Sequence, residues 1–470
     1  MLSDRKPKCL IRAMIFFRCH HDYFYECTLF KSSLHKDMPS PARKKPKPPS
    51  TENELCYARW LEDHVSERVD AVPSNSSDVF AFDSTHAKEA RVSYAHMATI
   101  AETPSGLFCA AFQCSSEGCE GKPGQHIRFC TSKDGCAWSD TTVPMYGLNA
   151  LWSPVLHREK NELLLFYSES RKQLSPGGDI KLIRSRDDGK SWSEPETLMT
   201  HERYGGVPKV IANRACGRAP RGKDDDGVLR LPFWTEPTDS WLRYRQYHPM
   251  AENASLLKKV YSSPLGSADD NRDSVYCGTI DSRDGGKTWE TPSIEQLVSF
   301  PKETWLIENS VVQMLDDGLD AQYLMYMRSA TGQVWYCKQK EGDPVWSKPV
   351  PIQNLPNPNS KVSAETQSCV CPDEPLKRRI YLAINPSQTL RAPLGLSIRT
   401  IDPSGQESGK KTPFIEIEDD PNGNFAYPTT FQTSTGDLFV IYSVWGVGIR
   451  VHKIPLETLQ KALGKVCNNT

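Results

Sequence analysis

The chain of 470 residues has no run of about 18 apolar residues, and its mean hydropathy is −0.54. A membrane-spanning helix is therefore not expected. Net charge is also nearly lacking: 57 Lys and Arg face 58 Asp and Glu, leaving −1. A whole chain so balanced is no polycation seeking nucleic acid. Long uninterrupted helical segments are scarce, because 35 prolines outnumber 29 glycines and punctuate the sequence throughout. The 15 cysteines lack the paired spacing of zinc ligands. The one cluster, Cys109, Cys114, Cys119, Cys130 and Cys136, is irregular, and Cys369 and Cys371 flank a single residue, which is no redox motif. Most are read as buried thiols, a disulfide within the cluster being the alternative. No metal and no cofactor is expected.

The small net charge conceals an asymmetry. Residues 1–50 hold eleven basic and four acidic groups, +7, so the remainder carries −8. Within that head, Pro39–Ser50 (PSPARKKPKPPS) is rich in Pro and Lys and cannot bury a core. Cys9–Phe17 is apolar but broken by Arg12 and lacks a small-residue cleavage site. Residues 1–80 are read as a disordered basic leader, 81–460 as the folded body and 461–470 as a tail. Localisation stays open between cytoplasm and a lumenal or secreted setting. Sequons at Asn75, Asn253 and Asn468 are too short to decide it.

The body contains a repeat. Ser282–Trp289 reads SRDGGKTW, Ser185–Trp192 reads SRDDGKSW, and Ser132–Trp138 reads SKDGCAW. Each follows a strand-like run. An Asp side chain can accept hydrogen bonds from backbone N–H groups just downstream, Gly supplies a positive φ, and Trp can fold back as an apolar plug. Asp134 and Asp187 lie 53 residues apart, and Asp187 and Asp284 lie 97 apart. Weaker echoes surround Lys338–Ser347 and Ile401–Gly405. A period of roughly 50–60 residues is long enough for a four-stranded sheet, and repeated four-stranded sheets arranged radially make a β-propeller. An all-β, six-bladed propeller is expected.

These boxes resemble the Asp-box (BNR) repeats of sialidases. That family implies a six-bladed fold, with Asp134, Asp187, Asp284, Trp138, Trp192 and Trp289 structural and remote from substrate. Further segments carry the same resemblance, in family order. Glu308–Met314 (ENSVVQM) is followed by Tyr323–Arg328 (YLMYMR), similar to the family's Glu-Asn-x-Val-Val and its downstream arginine. Ile380–Ile398 resembles the segment with a second substrate arginine, which points to Arg391, and Leu355–Ser360 (LPNPNS) looks like an inter-blade turn. Phe425–Thr430 (FAYPTT) is similar to the segment of the catalytic tyrosine, Tyr427. The first blade departs from the pattern. Where sialidases carry Arg-Ile-Pro, this chain reads Ala95-His96-Met97, closer to the BNR-like branch.

The resemblance implies a retaining exo-glycosidase acting on a terminal sialic acid or related acidic sugar of a glycoconjugate. An anionic substrate repels a carboxylate nucleophile, and sialidases are the known tyrosine exception among glycosidases. Tyr427 would be the nucleophile and Glu308 its base. Arg328 and Arg391 would grip the sugar carboxylate, with Arg450 in reserve. His96, when protonated, would replace the missing arginine and give an acid-leaning pH profile. Of Glu117 and Glu120 in the loop Cys114–His126, Glu120 is taken as the acid, with a raised pKa. A non-catalytic carbohydrate- or protein-binding propeller, and a hydrolase or lyase of another sugar acid, remain the alternatives.

Overall fold

A computed structural model of the chain describes residues 52–70, 80–83, 92, 94–116, 120–121, 124–171, 177–218, 227–236, 276–300, 304–314, 322–367, 378–401, 411–420 and 422–463. Residues 1–51, the three sequons, Glu117 and most of the Ile401–Gly405 echo lie outside them.

The fold is built of antiparallel meanders laid down in sequence order. The first sheet comprises Tyr94–Glu102, Phe108–Ser115 and His126–Ser132. The second begins with Leu151–Glu159, Glu162–Ser170 and Gly178–Ser185, and the third centres on Val228–Thr235 and Tyr276–Ser282. These two meanders are joined into one nine-stranded sheet through a single pairing, Lys209 with Gly178. Ile307–Met314, Gln322–Arg328, Gln333–Lys340 and Val350–Pro356 form the fourth meander. The fifth runs Ser363–Thr366, Arg378–Ile384, Leu394–Ile401 and Thr412–Glu418, and the last runs Phe425–Gln432, Leu438–Val444 and Gly448–Ile454.

First strands lie side by side between the first and second meanders and from the fourth through the last, and that of the last lies against that of the first. There the Thr429 hydroxyl donates to the Ala98 carbonyl at 2.7 Å. Sheets stacked in this way are covered on both faces, which explains why the strands read as continuous apolar runs rather than alternating ones. Leu163, Leu164, Leu165, Phe166 and Tyr167 are all fully buried: the odd-numbered ones pack toward the first sheet and Leu164 and Phe166 toward the third.

Residues 52–70, read from the sequence as part of a disordered leader, are structured. Glu52–His64 is a helix and Val65–Asp70 a strand that pairs in parallel with Thr412–Glu418. Trp60 is buried against Phe414, and its indole N–H donates to the Asn354 carbonyl at 2.9 Å. Phe80–Asp83 adds to the outer edge of the last sheet. The beginning of the chain therefore caps sheets made by its end.

The three box turns adopt the expected hydrogen bonding. Asp134 accepts from the backbone of Cys136 and Ala137, both at 2.8 Å. Asp187 accepts from the Ser191 backbone at 2.8 Å, and Asp284 from Lys287 and Thr288 at 3.0 and 2.9 Å. These bonds favour the ionised form, and side-chain and backbone donors hold Asp187 and, against partial burial, Asp284 down to about 2. Trp192 and Trp289 each donate to a turn carbonyl at 3.1 Å, and their rings pack edge-on against Phe129 and Phe166 of the preceding sheet. Gly189, at φ +85°, lies so close to Phe129 that a Cβ would fall 2.3 Å from its ring. Each plug is thus an inter-sheet clamp. Asp284→Ala is expected to lower Tm by a few degrees and leave ligand binding unchanged, as checked by thermal melts and a ligand titration.

Among the described residues Cys109, Cys136, Cys216, Cys277 and Cys337 are free thiols, mostly buried. Among the described residues no helix is long and apolar enough to cross a membrane.

Candidate active site

In every meander, the start of the first strand pairs with the end of the second. Tyr94 faces Ser115, Leu151 faces Glu169, Lys209 faces Thr235, Ile307 faces Arg328 and Phe425 faces Val444. The box turns follow third strands, whose ends (Ser132, Ser185, Ser282) pair with the starts of second strands. The boxes therefore occupy the opposite end of the sheets, as expected.

Near the start of four first strands the ladder slips at a bulge, and one non-glycine residue enters the left-handed region. These are Met97 (φ 56°), Ser153 (φ 48°), Glu308 (φ 53°) and Tyr427 (φ 59°). A bulge re-aims a side chain, and a left-handed L-residue costs about 1–2 kcal/mol. Glu308 and Tyr427 are thus held in strained conformations at corresponding places in two sheets.

Arg328 joins them. Its Nη1 donates to Glu308 Oε1 at 2.7 Å and to the Tyr427 hydroxyl at 2.6 Å, and its Nε donates to Asn359 Oδ1 at 2.5 Å. The Arg328 and Glu308 side chains are each 5% exposed. Glu308 Oε2 is buried and, among the described residues, has no hydrogen-bond partner. Arg391 Nη2 donates to the Asn359 carbonyl at 2.9 Å, and its guanidinium lies 5.1 Å from the Tyr427 ring centre. Asn359 thus spaces the two guanidinium groups. The segment read as an inter-blade turn is part of the site.

His96 packs edge-on against Tyr427, with ring centres 4.2 Å apart, and its Nδ1 is 2.8 Å from Ser443 Oγ. Its expected charge is not borne out. Burial first, then Arg391, Lys361 and Arg328, hold its pKa well below the ordinary 6.5. The imidazole is neutral near neutral pH and cannot stand in for an arginine by titrating there. Tyr94 and Trp445 complete an aromatic wall around it, with ring centres 5.9 and 5.3 Å away.

Glu120 stands exposed at the rim of this wall. The Tyr94 hydroxyl donates to its Oε2 at 2.9 Å, and Gln113 Nε2 donates to both at 2.9 and 3.3 Å. Gln113 Oε1 accepts from the bulged Ser153 backbone at 2.8 Å, tying the rim to the second sheet. Arg450 is not brought to the cluster: it lies on a third strand and is engaged by Glu418, which also accepts from Tyr442.

Two residues escaped the sequence reading. Lys361 follows the LPNPNS segment, is 1% exposed, and its Nζ donates to Pro428 O at 2.7 Å and Thr429 Oγ1 at 2.6 Å. Burial pulls its pKa down to about 7, with Glu308 opposing. It pins the bulge beside Tyr427. Glu236 is 7% exposed, and burial, with Glu308 and Glu120 adding, pushes its pKa up to about 7 against the opposing Trp234 hydrogen bond and Arg328. No local pattern marks either residue, because both are defined by what distant strands place around them. Among the described residues, no group of three or more His, Cys, Asp or Glu could hold a metal.

Sheets of antiparallel meanders with a buried Glu–Arg–Tyr cluster at one end place the chain in a recognisable class. The BNR repeat-like domain family matches residues 105–440. The chain belongs to this family. Solved structures of similar fold include the NanB sialidase of Streptococcus pneumoniae, at 12% identity and TM-score 0.57, covering 81% of this chain and 71% of that one. The leech intramolecular trans-sialidase aligns at 13% identity and TM-score 0.58, over 83% and 71%. A Dyadobacter fermentans protein of unknown function aligns at 14% and TM-score 0.53, over 77% and 94%. At these identities the likeness is one of fold. A search of curated proteins finds no match.

Proposed function

We propose that the protein is a sialidase-like retaining exo-glycosidase that removes a terminal sialic acid or related acidic sugar from a glycoconjugate. The observation that carries this reading is the convergence of Glu308 Oε1 and the Tyr427 hydroxyl on one nitrogen of Arg328, at 2.7 and 2.6 Å. In this reading the meanders close as a six-bladed propeller beginning near residue 81, with the site at one mouth. Arg328 and Arg391 face the sugar carboxylate. Tyr427 attacks the anomeric carbon, and its phenolic proton passes to Glu308, whose Oε2 is unclaimed. The cation beside Tyr427 stabilises the phenolate that this transfer creates.

The test is release of methylumbelliferone from its sialic acid glycoside by the full chain, with deaminated-sialic and uronic acid glycosides in parallel. Release from a sialoside supports the reading, and release from a uronide alone moves the protein to another sugar acid. One observation favours a second reading: the first strand offers Ala95–His96–Met97 and no guanidinium. A propeller that binds an acidic sugar without cleaving it would bind sialyllactose in calorimetry and release nothing.

A further inference from the structure

We infer that Glu236, rather than Glu120, is the catalytic residue that gives a proton to the leaving group. The inference rests on the glycosidase reading above. Glu236 immediately follows the strand Val228–Thr235, whose last residue pairs with Lys209 at the start of its sheet. Arg328 ends the corresponding second strand of the next meander. Glu236 is therefore at the same end of the sheets as Glu308, Arg328 and Tyr427.

Its carboxyl is fixed and dry. The Glu236 backbone N–H donates to Pro208 O at 2.9 Å, and the Trp234 indole N–H donates to Oε2 at 2.7 Å. Among the described residues Oε1 has no donor. One oxygen is thus held and the other is left to carry the proton. The groups facing it are Glu308, Glu120 and Arg328; together with burial, the two carboxylates outweigh the cation and keep the proton on. Glu120, by contrast, is exposed, and the Tyr94 hydroxyl and Gln113 Nε2 both donate to its Oε2.

The step balances. As the Tyr427 oxygen bonds the anomeric carbon, the bond from that carbon to the glycosidic oxygen breaks and its electron pair goes to oxygen. That oxygen takes the proton from Glu236 Oε1 and leaves as the alcohol, and Glu236 is left as a carboxylate. In the second half, Glu236 takes a proton from the water that attacks the glycosyl-tyrosine. The Tyr427 oxygen then leaves with the bonding pair and regains its proton from Glu308.

The test compares two leaving groups. Sialyllactose releases an alcohol that needs protonation, whereas methylumbelliferone leaves unaided. Glu236→Gln is expected to lower kcat on sialyllactose by about 100-fold or more, a general-acid effect. On the aryl sialoside the first half-reaction should be within about 3-fold of wild type in single-turnover measurements, whereas on sialyllactose the wild-type alkaline limb near 7 should vanish in the variant. Glu120→Gln should lower both substrates by one common factor. Equal losses on both substrates for Glu236→Gln, or a leaving-group-dependent loss for Glu120→Gln, would overturn the assignment while leaving the glycosidase reading intact. A wild type that cleaves neither substrate overturns both.

A second readout needs no turnover. The unfolded carboxyl ionises above its ordinary 4.5, while the folded one holds its proton to about 7. The native state then binds more protons across that window, so this contribution to stability is full below 4.5 and lost as pH rises to about 7. Thermal melts of Glu236→Gln should show a flatter decline there than wild type. Identical slopes would overturn the assignment even in a correctly folded enzyme.

Discussion

Tyr427→Phe is expected to lower kcat on methylumbelliferyl sialoside by more than about 10³-fold and to leave the fold standing. The substitution removes only the oxygen that would bond the anomeric carbon. The ring remains, and with it the edge contact to His96 at 4.2 Å and the face toward Arg391 at 5.1 Å. The strained backbone at φ 59° is unaffected, since phenylalanine meets the same steric limits as tyrosine. Among the described residues the hydrogen bond lost is that from Arg328, which keeps Glu308 and Asn359 as partners. A loss of about 1 kcal/mol is the scale of one such bond. Near-native Tm with abolished turnover is the signature of a nucleophile. A variant that retains a tenth or more of wild-type kcat would remove Tyr427 from the mechanism.

The parts of this molecule legible in its sequence are those encoded locally. A box turn is closed by hydrogen bonds among residues at most four apart, as from Asp284 to Thr288, so its chemistry is printed in consecutive letters. Strand runs such as Leu163–Tyr167 announce burial on both faces by lacking alternation. Glu308, Arg328, Arg391 and Tyr427 were singled out because each sits in a segment with a recognisable order, and the fold brings them together although 99 residues separate Arg328 from Tyr427. What failed depended on the neighbours of a residue rather than on its type. Arg450 and Arg328 are chemically equivalent, but a third-strand arginine is directed to Glu418 and a second-strand one to the cluster. His96 lies against Tyr427 but is not charged as expected, because burial and three nearby cations exist only in the fold. The stretch 52–70 reads as polar leader, yet Trp60 and Val69 are buried and its strand extends a sheet. Lys361 and Glu236 are the sharpest case: an ordinary lysine and glutamate whose chemistry is set by burial beside Glu308.

Arg328→Ala carries the largest expected effect on both stability and activity. Arg328 is a buried cation that neutralises a buried carboxylate, and breaking such a pair by removing one partner costs about 3–5 kcal/mol, because the remaining charge is stranded. Glu308 is poorly placed to absorb that loss, since its Oε2 already lacks a partner and its backbone is held in a left-handed bulge. Urea unfolding should show a midpoint shift of that scale, and turnover should fall by more than about 10³-fold, because the substrate carboxylate and the Tyr427 oxygen lose the same cation. Loss of activity alone would not separate a binding role from a collapsed site. The double variant Arg328→Ala, Glu308→Gln does so. Removing the stranded charge should restore more than half of the lost stability, while activity stays absent, since the base is then missing as well. Recovery of stability locates the cost in the unpaired carboxylate. If the single variant loses less than about 1 kcal/mol, the pair is not the buried electrostatic unit its geometry describes. If the double variant is no more stable than the single, the loss comes from the cavity left by the arginine, and Glu308 is held in its bulge by packing alone.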